Sequence, residues 1–89
     1  MFIDEYGESV ETNEFGAKYY YKHGDLHRES GPAIERANGT KCWYIKGKCH
    51  REDGPAIEYS NGNKWWYIKD KPYSKKDYQK ALKEFKKCL

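Results

Sequence analysis

Two five-residue runs, Lys41-Cys42-Trp43-Tyr44-Ile45 and Lys64-Trp65-Trp66-Tyr67-Ile68, carry large side chains at successive positions. In an extended chain, alternation sends Trp43 and Ile45 to one side, with Tyr44 and Cys42 opposite; Trp66 and Ile68 likewise oppose Trp65 and Tyr67. Neither side is polar, so one must be covered. Shorter β-prone runs at residues 33–36 and 56–59 come just before, separated from the long ones by Asn38-Gly39 and Asn61-Gly62. Asn-Gly between such runs is a strong hairpin signal, because both residues accept positive φ at low cost. A second turn is expected at His23-Gly24 and Lys46-Gly47, leading to a short strand ending near His50. Pro32 and Pro55 cannot donate to a ladder and belong at the first residue of a strand. The pattern predicts an antiparallel β-hairpin meander over about residues 17–72.

Beyond it the period changes. Tyr78, Ala81, Leu82, Phe85 and Leu89 recur at helical spacing. Ser74 and Asp77 form a capping box with the shorter acid. A helix over about 75–88 would lay Tyr78, Leu82 and Phe85 against the sheet and hide its last strand, with lysines on its other faces. The fold class is mainly β (α+β): a meander closed by one amphipathic helix.

The meander is repetitive. Residues 19–41 and 42–64 align without a gap at a period of 23, with 13 of 23 positions identical. A third copy starts at Trp65 and fades, and Phe15-Gly16-Ala17-Lys18 aligns with Asn38-Gly39-Thr40-Lys41. The single domain therefore divides into an acidic segment with a degenerate half repeat (1–18), two full repeats (19–41 and 42–64), a partial third (65–73) and the helix (74–89). Degenerate end units are what capped repeat arrays require.

Composition agrees with a thin sheet. Leu, Ile, Val and Phe total only twelve of 89 residues, while nine Tyr and three Trp supply rings that pack at one end and stay hydrated at the other. A large enzyme core is not expected at this size. Net charge is +3, unevenly spread: −4 over residues 1–18, +2 over 19–68 and +5 over 69–89. The acidic beginning would repel a polyanion or fold back onto the lysines. A mildly basic chain does not suit a mimic of DNA. No run reaches the roughly 18–20 apolar residues of a membrane span, and the start has acids where a signal peptide carries positive charge, so the expected location is cytoplasmic.

Three cysteines, Cys42, Cys49 and Cys88, fit a reducing compartment better than a disulfide framework. Cys42, Cys49 and His50 match no common zinc spacing. No metal, cofactor or catalytic residue is assigned. His27-Arg28-Glu29 and His50-Arg51-Glu52 contain acid–base chemistry, yet they recur with the repeat, as a structural requirement does and a single active site does not. They are read as packing inside the turns, with Arg and Glu pairing or bonding the Gly-Pro connector.

The segment Trp43-Tyr44-Ile45-Lys46-Gly47-Lys48-Cys49-His50-Arg51-Glu52-Asp53-Gly54-Pro55-Ala56 resembles the tandem unit W-Y-x-N-G-K-x-H-R-E-D-G-P-A of small MORN-like phage and bacterial repeat proteins. The first copy matches from Tyr20 to Ala33, with Ser30 in place of Asp, and Tyr73-Ser74-Lys75-Lys76-Asp77-Tyr78 resembles the family's terminal helix motif. The resemblance implies a single-layer β-meander used for binding. It further implies a phage-encoded antagonist of a host defence complex, such as a CRISPR nuclease, acting by covering a surface.

Tyr, Trp and Arg anchor protein interfaces. The expected function is therefore non-enzymatic protein binding through Tyr21, Tyr44, Tyr59, Trp65 and Tyr67, with Tyr59 open to either face. A homodimer through the same patch is an alternative. The second function class is nucleic-acid or acidic-partner binding through Lys76, Lys80, Lys83 and Lys87 beside the Tyr/Trp face.

Overall fold

The computed structural model describes residues 7–87. Among them the strands are β1 (Glu8–Thr12), β2 (Lys18–Lys22), β3 (Asp25–Leu26), β4 (Ile34–Glu35), β5 (Lys41–Cys42), β6 (Tyr44–Ile45), β7 (Lys48–Cys49), β8 (Ile57–Glu58), β9 (Lys64–Ile68) and β10 (Lys71–Tyr73), followed by helix α1 (Lys75–Lys87). The main sheet runs β1-β2-β4-β5-β8-β9-β10, with β3 added to β2 and β6-β7 forming a separate hairpin. Every pairing is antiparallel. The result is a slab 39 × 32 × 17 Å, one sheet thick with a helix on one face. The β-meander with a packed C-terminal helix is thus present.

Three details differ from the pattern read along the chain. The meander starts earlier: Glu8–Thr12 pairs with β2 over five positions as an edge strand. These residues alternate no apolar set, and their stability comes from the ladder. Among the described residues, Glu8 and Glu11 stand on β1, at the opposite end of the main sheet from β10; the rest of the acidic beginning before Gly7 lies outside the described residues. Six strand spacings separate β1 from β10, about 29 Å. At the Asn-Gly turns only glycine takes positive φ (Gly39 +95°, Gly62 +93°). Gly39 donates to the Arg36 carbonyl and Arg36 to that of Thr40, the three-residue loop in which a glycine follows a type I turn. Residues 13–17 repeat this turn, with Gly16 at +89°. The second turns do carry two positive-φ residues, such as Lys46 (+51°) and Gly47 (+81°).

The strand expected over 41–45 is broken at Trp43, whose N–H goes to the Ala56 carbonyl (2.7 Å) while its own carbonyl accepts from His50 (3.1 Å). Each long strand therefore pairs with one neighbour in its first half and a different one in its second. In β2, Tyr19 faces Ile34 of β4 whereas Tyr21 faces Leu26 of β3.

The histidines lock one unit to the next. His27 Nδ1 accepts the Lys46 N–H (2.9 Å) and His50 Nδ1 accepts the Lys69 N–H (3.1 Å), each bond spanning 19 residues. The other ring nitrogens meet Glu29 (3.4 Å) and Glu52 (3.2 Å). Arg28 and Arg51 lie over the Tyr20 and Trp43 rings at 3.9 and 3.8 Å. They also bond the Pro32 and Pro55 carbonyls and pair with Glu35 and Glu58. The next arginine position is Ser74, and Trp66 there meets the Tyr78 ring of α1 instead (6.5 Å). Helix α1 begins as expected: Ser74 Oγ accepts the Asp77 N–H at 3.2 Å. Tyr78 is 1 % exposed and its hydroxyl donates to the Arg51 carbonyl. Phe85 sits 5.3 Å from the His50 ring, and Leu82 is half-buried. Leu89 and Cys88 lie outside the described residues.

Candidate functional site

Partners directly opposite in a ladder point to the same side, and residues two apart in a strand do as well. The register Glu11–Tyr19–Ile34–Cys42–Ile57–Trp65 therefore defines one face. Tyr21, Tyr44 and Tyr67 lie two positions further along the same strands and share it. Tyr59 joins them, since its N–H bonds the Asn63 carbonyl (2.9 Å), which continues the hairpin ladder. All five aromatic residues singled out from the chain thus lie on one side. Helix α1 is on the other, where Tyr78 meets Trp66.

The two faces differ sharply in charge. On the helix-free face the strands contribute one charged residue, Glu11. The opposite face carries ten, including the alternating row Lys18–Glu35–Lys41–Glu58–Lys64 across five strands. Glu11 lies near enough to the Tyr21 phenol to help raise its pKa after burial. The tyrosine face is thus flat and poor in charge: Arg36, the counterpart of Tyr59 one repeat earlier, joins it beside Cys42, and phenol hydroxyls supply most of its other polar groups.

Trp65 (50 % exposed) and Tyr59 (42 %) are its most open rings, at the end near the Asn61-Gly62 turn. Tyr21, Tyr44 and Tyr67 are half-buried, and they help cover Ile34, Cys42 and Cys49, which are buried beneath. Burial pushes the phenols of Tyr21, Tyr44 and Tyr67 up from their ordinary value. Cys49, Cys42, Asp70 and Tyr67 are near enough to Tyr44 to add to its shift. The Cys49 thiol is pushed up to about 12, by burial first and then by Cys42 and Asp70. Both cysteines are free, and they lie in the layer as small apolar side chains.

Tyr19 belongs to this face and was not singled out from the chain. Its place two residues before Tyr21 is the signal that would have found it. Lys76, Lys80, Lys83 and Lys87 are all exposed on α1, so they gather on the helix and not beside the tyrosines. No group of three or more His, Cys, Asp or Glu able to hold a metal occurs among the described residues. None of the helices described is long and apolar enough to cross a membrane. Comparison with family models, curated proteins and solved structures found no match to this chain.

Proposed function

We propose that this chain is a protein-binding repeat module that docks through its tyrosine face. The observation that carries the reading is the charge asymmetry of the sheet: Glu11 and the ladder residue Arg36 are the charges on that face, against ten charged strand residues on the other. Interface centres are depleted in charge and rich in tyrosine and tryptophan. Shape adds to it. A compact monomer of this mass exposes about 5,500 Å², whereas this slab exposes 6348 Å². The role is stoichiometric and not catalytic, since the recurring His-Arg-Glu runs are engaged with the neighbouring repeat and the connector.

The finer reading, an antagonist that occupies the surface of a host defence complex, draws on the resemblance to MORN-like phage proteins. Affinity capture from host lysate, with nuclease present, tests both levels. One defined complex should be retained by the native chain and lost with Tyr44→Ala/Tyr67→Ala. Retention by that double variant would sink the proposal.

A second reading has its own observation. Lys76, Lys80, Lys83 and Lys87 follow i, i+4, i+7, i+11 and are exposed, a stripe about 16 Å long. Such a row can track phosphates. Binding to single-stranded DNA that falls steeply with salt and vanishes on charge reversal of Lys80, Lys83 and Lys87 would favour it.

A further inference from the structure

The 23-residue period repeats a groove as well as a fold. On the charged face, Tyr20, Trp43 and Trp66 occupy equivalent floor positions, and Ile45 and Ile68 match one another. Over Trp66 the groove is filled by α1, with the Tyr78 ring against Trp66 and Phe85 against His50 and Lys69. Over Trp43 and Ile45 the equivalent groove is an open cavity of about 570 Å³, walled by the connectors Arg28–Gly31 and His50–Asp53. A second open cavity of about 570 Å³ lies over Tyr20, with His27, Arg28, Glu29 and Ser30 in the places of His50, Arg51, Glu52 and Asp53. Arg28 and Arg51 lie over the Tyr20 and Trp43 rings at the floor, and the space above them is open among the described residues.

We infer that these two open grooves seat a basic amphipathic helix of another protein, with aromatic residues seven positions apart. Four observations choose this occupant. The filled groove shows that a helix fits the site, and the middle groove continues that interface directly, because Lys86 of α1 lines its rim. Equivalent floors are two strand spacings apart, about 9.6 Å, close to the roughly 10.5 Å climbed by seven helical residues. Tyr78 and Phe85 of α1 are themselves seven apart. The exposed rim carries three acids, Glu29 (76 %), Glu52 (44 %) and Asp53 (85 %), against Lys86; Asp53 is paired with Arg51 Nε at 2.9 Å, and the arginines also reach in to Glu35 and Glu58. The helix that fills the third groove is correspondingly lysine-rich. Where α1 places a ring on Trp66, Arg51 already covers Trp43, so an incoming ring would stack on the guanidinium, a surface that arginine offers readily. This site lies on the face opposite the tyrosines and is independent of them.

The probe is a synthetic peptide with the sequence of residues 74–87, added in excess to the full chain and followed by amide and indole NMR shifts. Saturable shifts at the Trp43 indole and the Ile45 amide, with Trp66 unchanged, are expected. Ser30→Trp should abolish them by filling the groove, and Glu29→Lys with Asp53→Lys should weaken binding at least about tenfold. Tyr44→Ala/Tyr67→Ala should leave them intact, which separates this site from the tyrosine face. Shifts at Trp66, meaning displacement of α1, would overturn the inference. So would the absence of any shift, or equal binding by a peptide with serine in place of its Tyr and Phe.

Discussion

Two kinds of buried side chain set the behaviour of individual residues. Cys49 is 4 % exposed and its thiol is held protonated, up to about 12. At pH 8.5 iodoacetamide should label it at least about a hundredfold more slowly in the native chain than in urea, because the thiolate is the nucleophile. The stability consequence has a definite sign. A thiol raised on folding contributes fully below the unfolded value near 9 and loses that contribution as pH rises toward 12, so the urea midpoint should fall through that window. His50 acts through its nitrogen positions. Replacing it by alanine orphans the Lys69 N–H and removes the surface under Phe85, at a cost of about 2–3 kcal/mol. Asparagine, whose side-chain oxygen can stand near Nδ1, should recover part of that in urea titration. The recurrence of His-Arg-Glu made a structural role legible in the chain. That each histidine serves the following repeat was not, because the bond spans 19 residues and depends on how units stack.

Helix α1 and strand β1 sit at opposite ends of legibility. The helix announced itself by capping residues and a 3.6-residue stripe, and both are found in place. Ser74→Ala should cost about 1 kcal/mol through the lost cap. Tyr78→Phe keeps the ring on Trp66 and strands the Arg51 carbonyl, for about 1–2 kcal/mol, whereas Tyr78→Ala empties the groove and should cost about 3–5 kcal/mol. Chemical denaturation of the three variants checks the order. Strand β1 carried no such signature, since Glu8, Glu11 and Thr12 are polar at an edge where only backbone pairing is needed. The tyrosine face was half legible for a related reason. Alternation placed Tyr44 beside Tyr67, but the side taken by Tyr59 follows from hairpin register, which the Asn-Gly turn sets through a three-residue loop.

At the scale of the whole molecule, the slab is a stack in which each unit meets only its neighbours, so stability should behave as a sum over units and their junctions. The junctions are interchangeable. α1 leans on His50 and the Arg51 carbonyl, and the turn after β9 hands its Lys69 N–H to His50. If residues 42–64 are deleted, Lys41 is followed by Trp65, and His27 and Arg28 arrive where His50 and Arg51 stood. The Glu35 carboxylate likewise takes the place of Glu58 opposite Lys64, now Lys41, so the alternating charge row keeps its sense. The shortened chain should therefore fold, with a cooperative but lower thermal transition and a smaller urea m-value, because less surface is exposed on unfolding. Duplicating residues 42–64 should raise both. An unfolded deletion variant with an intact helix would show that the units are not equivalent, and that the two copies cooperate through contacts a nearest-neighbour stack does not contain.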